Sequence, residues 1–430
     1  MVIGDFSGRS RPDACPGALQ VHAAADGGLA RVRVPGGRLT ASQLRELADA
    51  ASACGSGVIE LTSRANAQVR GLGGEGGFAA RMAGAGLLPS ATHERIRNIL
   101  ASPLTGCDTR SLLDVSPLVS ELDLRLCGTP ALAGLPGRFL FALDDGRGDV
   151  AWLDPDAGIL PVGPGQAALI LAGADSGLRV PVGSAVAALL AAAEAFLAEP
   201  EVAQARAWRI RELPGCAERV AERVGSALEL GRAAPVPTPS TETPAETSAE
   251  APAEALAGRE PVGIIEQPGG RVTLGVTVPL GRLTSAQAEL LADLASSGEV
   301  RLTPWRGVVL PGLTRAEAAR AAALLTDAEL VVDPASPWTS VTACTGRPGC
   351  AKSLADVRAD ATLAITSFPR TGTLPVHWAG CERRCGRPKG RVADVVATAT
   401  GYRVDLDGRS LDCVGIEETT AAVTALRGET

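Results

Sequence analysis

The sequence predicts an α+β chain made of two related halves about a pseudo-twofold axis, each a small β-α-β unit followed by a larger mixed α/β domain. Three observations carry this: a central segment of biased composition, a stretch that occurs twice, and two close cysteine pairs near the end. Residues 233–257, AAPVPTPSTETPAETSAEAPAEALA, hold almost only Ala, Pro, Thr, Ser and Glu. Such a composition buries too little apolar surface to offset chain ordering, which predicts a disordered linker.

The flanks of that linker repeat. PGGRLTASQLRELADAA at 35–51 and PLGRLTSAQAELLADLA at 279–295 share Gly-Arg-Leu-Thr, a Gln three residues after the Thr, and Leu-Ala-Asp at a constant offset. Thr40 with Gln43, and Thr284 with Gln287, each fit a capping box at a helix start. Leu44, Leu47, Ala48 and Ala51 then form an apolar stripe at helical spacing, and Leu290, Leu291, Leu294 and Ala295 predict a similar face. An alternating strand precedes each helix, marked by Ala30, Val32 and Val34 in one copy and Val272, Leu274, Val276 and Val278 in the other. A second strand ending in Leu-Thr is expected after each helix, in IELTSRANAQVRGL (59–72) and VRLTPWRGVVLPGL (300–313).

Each unit has the size of half a ferredoxin-like domain, which places half-domains at 12–75 and 258–330. Larger α/β domains are expected at 85–232 and 337–430. The first is marked by FLFALDD (139–145), AALILAG (167–173) and an Ala-rich helix at 184–198. Duplication implies a ligand at the seam, and it makes a monomer the expectation because the twofold partner is already in the chain.

Composition narrows the function. With 46% apolar and 21% charged residues the chain reads as a soluble globular protein, and its formal charge of −7 argues against a nucleic-acid partner. Lysine occurs only at Lys352 and Lys389, so nearly every cation is an arginine fork suited to carboxylates. The most apolar segment, Ser184 to Ala198, carries Glu194 and is too short for a membrane span. The first fourteen residues hold Arg9 and Arg11 without an apolar stretch, so no secretory signal is expected. A cytoplasmic location follows as the expectation, and in a reducing compartment paired cysteines read as metal or redox ligands.

Those pairs are Cys344-x5-Cys350 in CTGRPGC and Cys381-x3-Cys385 in AGCERRC. If ERR is one helical turn, Cys381 and Cys385 project the same way. Gly346, Gly349, Gly380 and Gly386 let backbone approach the sulfurs and offer N–H groups to an anionic cluster. Zinc sites usually separate their ligands by two to four residues, and disulfides suit an oxidising compartment. Both stay open, with an iron–sulfur cluster favoured. The other six cysteines, at 15, 54, 107, 127, 216 and 413, read as buried apolar filler.

On these features the chain resembles the sulfite and nitrite reductase family. LTSRANAQ (61–68) is similar to the family's Arg-x-Asn-x-Gln element in the tetrapyrrole site. HERIRNILASPLTG (93–106) is similar to its Arg-Asn-x4-Pro-x2-Gly element, and VHWAGCERRCGRP (376–388) to its cysteine element. The resemblance covers nearly the whole chain apart from the linker and termini. It implies a [4Fe-4S] cluster on Cys344, Cys350, Cys381 and Cys385. It also implies a tetrapyrrole pocket with Arg64, Asn66, Gln68, Arg97, Asn98, Arg138, Arg306 and Arg347 as substrate-binding residues.

Sulfite reductases carry Lys-x-Lys after Leu-Pro, whereas this chain reads LPGRFLFALDD, so Arg138 keeps one charge and Leu140 removes the other. That departure, with the short chain, favours resemblance to the family's oxygen-dependent member of aerobic cobalamin synthesis. The implied reaction is hydroxylation and lactone closure of precorrin-3A by molecular oxygen. Electrons would come from NADH through a separate reductase and the cluster, and a non-haem iron is implied as well. The alternatives are a sirohaem-dependent sulfite or nitrite reductase, and a cluster scaffold or tetrapyrrole carrier without turnover. No two-His-one-carboxylate triad is visible, because only three histidines exist. His377 is the candidate catalytic residue, as an iron ligand or a hydrogen-bond donor to a cluster sulfur, with a structural role equally open. His93 is expected to be structural, His22 structural or exposed, and Arg383 and Arg384 to balance cluster charge.

Overall fold

The computed structural model describes residues 13, 15–73, 77–204, 206–237, 260–370 and 374–428, so most of the expected linker lies outside the described residues. The first unit runs β1 (His22–Ala24), β2 (Gly27–Val32), β3 (Arg38–Thr40), α1 (Ala41–Cys54), β4 (Val58–Leu61), β5 (Ala67–Leu72) and α2 (Phe78–Gly84). The first large domain runs β6 (Ile99–Ala101), α3 (Ser116–Cys127), β7 (Phe141–Leu143), β8 (Ala157–Gly163), β9 (Gln166–Leu171), β10 (Ala174–Pro181), α4 (Ala185–Leu197), α5 (Pro200–Ala203), α6 (Cys216–Ala227) and β11 (Gly231–Arg232). The second unit holds β12 (Gly263–Glu266), β13 (Val272–Thr277), β14 (Arg282–Thr284), α7 (Ser285–Leu294), β15 (Glu299–Leu302), β16 (Gly307–Leu313) and α8 (Arg315–Asp327). The second large domain holds β17 (Val341–Ala343), α9 (Val357–Ala364), β18 (Val376–Ala379), β19 (Ala393–Ala397), β20 (Gly401–Leu406), β21 (Arg409–Val414) and α10 (Gly415–Gly428).

The two units exchange a strand. The first sheet is ordered β1-β2-β5-β4-β14 and the second β12-β13-β16-β15-β3, so each is completed by a three-residue strand from the other half. Leu283 lies opposite Ile59, and Leu39 opposite Val300. Both leucines are buried in one core shared by the two units. Immediately after each exchanged strand a helix begins, and both expected capping boxes are formed: Thr40 with Gln43, and Thr284 with Gln287. The caps fix where α1 and α7 start, and the two helices pack on each other at the pseudo-twofold axis.

The strands expected to end in Leu-Thr end at Leu61 and Leu302, and each continues past a turn into a further antiparallel strand, forming the hairpins β4–β5 and β15–β16. Their tips are built alike: Thr62 N–H bonds Asn66 O at 2.9 Å and Thr303 N–H bonds Gly307 O at 2.9 Å. Ala65 and Arg306 hold equivalent left-handed positions, with φ of 51° and 71°. The apolar face of α7 is also rotated: Ser285, Ala288, Leu291 and Ala292 are buried, while Leu290 and Leu294 are only half-buried. Ser285 Oγ donates to the Ala48 and Gly57 carbonyls, which turns α7 toward α1.

The large domains repeat as well. β6, β7 and β8 are parallel neighbours continued by antiparallel β9 and β10, and β17, β18 and β19 are parallel neighbours continued by antiparallel β20 and β21. Thr105-Gly106 and Thr345-Gly346 follow the first strand of each set, and both glycines have φ of 69°. SLLDV (111–115) and SLADV (353–357) then lead into α3 and α9. Asp356 caps α9 by accepting the Ala359 N–H, whereas Asp114 lies one residue before the Val115 N-cap of α3 and accepts the Ser116 N–H. Buried on nearly every face, α4 needs no polar side, and among the described residues no helix is long and apolar enough to cross a membrane.

Because each half-domain sheet needs a strand from the other half, cutting the chain anywhere within 238–257 should leave both pieces in one particle on size-exclusion chromatography. Elution as two separate species would contradict the exchange.

Candidate cluster and ligand site

β17 and β18 run side by side with Ala343 opposite Trp378, and both cysteine loops leave from their carboxyl ends, where ligands collect in sheets of this kind. Cys344 follows β17 and bonds Trp378 O at 2.9 Å, continuing the ladder. Gly380 follows β18 and donates its N–H to Cys344 Sγ at 3.2 Å. A Cβ on Gly380 would lie 1.9 Å from Ser353 Oγ, so only glycine fits between the loops. The loops are tied again by Cys350 N–H to Gly346 O, Ser353 N–H to Cys350 O, and Leu354 N–H to Gly380 O.

The ERR segment is not a helical turn. Arg384 N–H bonds Cys381 O at 3.1 Å, Arg387 N–H bonds Arg384 O at 3.1 Å, and Arg384 has φ of 44°, which makes two successive turns. The cause is the side chain of Arg384, drawn back under the loop by Asp394 and Asp405. Arg384 therefore neutralises those carboxylates rather than a cluster. Arg383 remains exposed beside Cys385.

All ten cysteines are free thiols. The Cys385 thiol is pushed up, first by burial, then by the charges of Cys344, Cys381 and Cys350, with Arg383 opposing. The other three sulfurs thus all lie within electrostatic reach of the fourth. A single zinc ion would need its sulfurs about 3.8 Å apart, from Zn–S bonds of about 2.3 Å in a tetrahedron. Among the described residues no three of these sulfurs lie within 4.8 Å of one another. Four thiols so spaced, with an N–H aimed at one sulfur, fit a polynuclear iron–sulfur cluster better than a mononuclear ion. Of the remaining cysteines, Cys107, Cys216 and Cys413 are buried filler as expected, whereas Cys15, Cys54 and Cys127 are only half-buried.

His377 sits on β18 between Thr342 and Asp394 of the neighbouring strands and is fully buried. Nδ1 and Thr342 Oγ1 are 2.9 Å apart. Burial, then Arg306 and Arg387, push its pKa down to about 3 against the pull of the Cys385 backbone, so the ring is neutral at pH 7. Nε2 lies by that backbone without an aligned hydrogen bond. His93 is buried and structural, with Nε2 at 3.1 Å from Thr129 O, and His22 is exposed on the edge strand β1.

The first-unit sheet faces these loops. Arg70 bonds both Asp26 and Gly349 O in the first cysteine loop, the latter at 2.6 Å. Arg358 of α9 pairs with Glu60 at 2.6 Å, Glu60 accepts from Gln68, and Gln68 accepts from Arg31. From the second unit, Arg306 at its hairpin tip reaches Gly386 O at 2.8 Å. Sequence reasoning missed Arg31 and Arg33. They alternate with Val32 and Val34 in RVRV, and a strand whose other face is core must show them to the seam.

Arg31, Arg33, Arg64 and Arg306 form no ion pair among the described residues. The Arg64 guanidinium bonds no group among the described residues, and burial followed by Arg209 pushes its pKa down to about 10. Arg33 bonds Arg95 O through Nε, but Nη1 and Nη2 are buried without partners among the described residues. Burial and then Arg31 push its pKa down to about 9. Arg31 and Arg306 are lowered too, each chiefly by burial.

Other expected ligand residues are engaged elsewhere. Arg97 grips Asp123 through two bonds of 2.6 and 2.7 Å. Asn66 accepts the Val34 N–H and donates to Asn98, which donates to Gly137 O, so both asparagines brace the buried junction. Exposed Arg347 donates to Ser353 O and closes its own loop. Arg138 is exposed and stacks over Trp208 at 5.0 Å, while Leu140 is buried in the core. A cleft of about 390 Å³ lies beside Arg33, Arg38, Gln43, Arg97 and Glu299; Arg38 is paired there with Glu299 and Arg97 with Asp123, whereas Arg33 forms no ion pair among the described residues.

One other donor cluster exists among the described residues: Asp144, Asp145 and Asp149 bring carboxylate oxygens within 4.8 Å. Asp144 accepts four backbone N–H groups, Arg147 bonds Asp145 and Asp108, and Ser102 bonds Asp149. This loop follows β7, the topological counterpart of β18, so a guanidinium sits where the second half has its cysteines. A second iron therefore finds no fitting donor set among the described residues.

The nitrite/sulfite reductase ferredoxin-like half domain matches residues 22–75 and again 265–328, the two units that exchange strands. The chain therefore carries two half domains of the nitrite/sulfite reductase type. It is 26% identical over 407 residues to a precorrin-3B synthase of Sinorhizobium sp, covering 93% of this chain and 83% of that protein. It is 28% identical over 411 residues to a ferredoxin–nitrite reductase of Synechococcus elongatus, covering 90% and 79%. The solved structure of the Mycobacterium tuberculosis NirA protein superposes with a TM-score of 0.74 at 22% identity, over 92% of this chain and 79% of that one.

Arg64 gives a sign test. Its folded pKa lies below the unfolded value, so its charge destabilises the fold at any pH below about 10, and that cost shrinks only as pH rises further. Arg64→Met should therefore raise unfolding stability at pH 7 by on the order of 1 kcal/mol, read by denaturant titration. A loss of similar size would mean that the guanidinium has a carboxylate partner.

Proposed function

We propose that the chain is an iron–sulfur oxidoreductase acting on a carboxylated tetrapyrrole, and specifically that it oxygenates precorrin-3A to precorrin-3B. The observation that carries this reading is the group Arg31, Arg33 and Arg64, buried or half-buried cations without an ion-paired carboxylate among the described residues, on a face that abuts the cysteine loops. A polycarboxylate would supply the missing charges with bidentate, charge-assisted bonds. Resemblance to the precorrin-3B synthase over 93% of the chain supports the same substrate class.

Cys344, Cys350, Cys381 and Cys385 would hold a [4Fe-4S] cluster. When bound, it supplies single electrons derived from NADH through a separate reductase. In the overall reaction one atom of O2 enters the macrocycle as a hydroxyl, which a ring acetate follows by closing a lactone. The other atom leaves as water, using two electrons and two protons. The protein's part is positional. Arg31, Arg33 and Arg64 anchor carboxylates from the first half and Arg306 does so from the second, while Gln68 orients Arg31. Neutral His377, with one ring N–H, adds no positive charge beside the cluster loop. The exposed Arg347, Lys352 and Arg383 ring the cysteines, offering a basic face to an acidic electron carrier.

A sirohaem-dependent nitrite or sulfite reductase is the second reading, favoured by resemblance to the cyanobacterial enzyme over 90% of the chain. Burial of Leu140 opposes it, because a small anion would meet only Arg138 there.

Protein purified without air should be brown, contain about four iron and four sulfide per chain, lack sirohaem bands, and consume oxygen only with precorrin-3A. Sirohaem absorption with nitrite or sulfite turnover would establish the second reading instead. Cys344→Ser and Cys385→Ser should each abolish the colour and most bound iron; full iron content in either would reject these ligands.

A further inference from the structure

Lys389 is one of two lysines in the chain and lies four residues beyond Cys385 on the second cysteine loop. It reaches out of its own half. Its Nζ is 3.5 Å from Trp152 O and 3.8 Å from Asp154 Oδ2, both in the first large domain. Neither contact satisfies an ammonium, because the Asp154 carboxylate is already bonded by Arg211 and approached by Arg209 at 3.9 Å. Arg209 is also tied to buried Asp156, and Trp208 of the same segment carries the stacked Arg138.

Among the described residues three cations, Arg209, Arg211 and Lys389, thus face Asp154, Arg209 also holds Asp156, and Arg138 adds a further charge beside them on Trp208. The excess is of one sign and continues to Arg64, whose largest charge neighbour is Arg209. Although 55% of its side chain is open to solvent, partial desolvation, then Arg211 and Arg209, lower the lysine's pKa to about 8, the direction expected of an ammonium short of countercharge. Lys389 is also the cation that joins this patch from the cysteine-bearing half. A ligand bonded to both sides would therefore hold the seam closed.

We propose that Lys389 is a ligand-binding residue that reaches across the seam and, with the Trp208–Arg211 segment, holds a peripheral carboxylate of a polycarboxylate macrocycle. This rests on the tetrapyrrole reading above and adds where the second half grips the ligand. The bound carboxylate raises the lysine's pKa, so affinity is full below about pH 8 and falls as pH rises through it.

The test is a fluorescence-quenching titration of uroporphyrin, as the polycarboxylate probe, with the full chain carrying its cluster, across pH 6.5–9.5. Wild type should bind with affinity that drops above about pH 8. Lys389→Met should bind about tenfold more weakly at pH 7 with that drop removed, at unchanged iron content. Lys389→Arg should keep the pH 7 affinity and also lose the drop, because arginine stays charged. Wild-type affinity and pH profile in Lys389→Met overturns the role of Lys389 alone. No binding by wild type overturns this role and the tetrapyrrole reading together.

Discussion

Two three-residue strands, Arg38–Thr40 and Arg282–Thr284, hold this molecule in its arrangement. Each completes the sheet of the opposite half, and each runs straight into a capped helix that packs on its counterpart across the axis. Neither half can bury Leu39 or Leu283 alone. The exchange therefore fixes the relation of the halves before any cofactor or ligand contributes.

Everything at the seam follows from that fixed relation. The outer face of the first sheet is set against the cysteine-bearing domain, which lets Arg70 bond the Gly349 carbonyl and Glu60 pair with Arg358. The second unit approaches the same loops from the other side through Arg306 and Gly386. Between these anchors the chain collects guanidiniums that repel one another. Cations withdrawn from water without a carboxylate are costly, and among the described residues Arg33 and Arg64 have none paired with them, an arrangement suited to anions. In the first half the topologically equivalent loop shows the opposite solution, with Arg147 enclosed by Asp108, Asp145 and Asp149.

Much of this was legible in the sequence, for identifiable reasons. The repeat of Gly-Arg-Leu-Thr survived because a strand exchange and a helix cap both depend on those letters. The cysteine loops were visible because few residues substitute for thiolates. The hairpins were hidden because Thr62–Asn66 and Thr303–Gly307 turn through left-handed Ala65 and Arg306, residues that do not announce a turn. The exchange itself leaves no periodicity, being three residues long. The second repeat, Thr-Gly followed by SLLDV or SLADV, was masked by four intervening residues in one copy and six in the other. Among the expected ligand residues, motif resemblance alone could not separate Arg64 from Arg97, since only tertiary structure sets Asp123 beside the latter. Arg31 and Arg33 were readable in principle, from the polar side of a strand whose apolar side was already assigned.

The central claim is that four thiols on two adjacent strand ends converge on one iron centre beside an arginine-lined seam. Crystals grown without air and measured at the iron absorption edge test it most directly. The account predicts a single anomalous peak bounded by residues 344–350 and 380–386. Iron located at Asp144–Asp149 or elsewhere, or a peak at the cysteines only at the zinc edge, would contradict it.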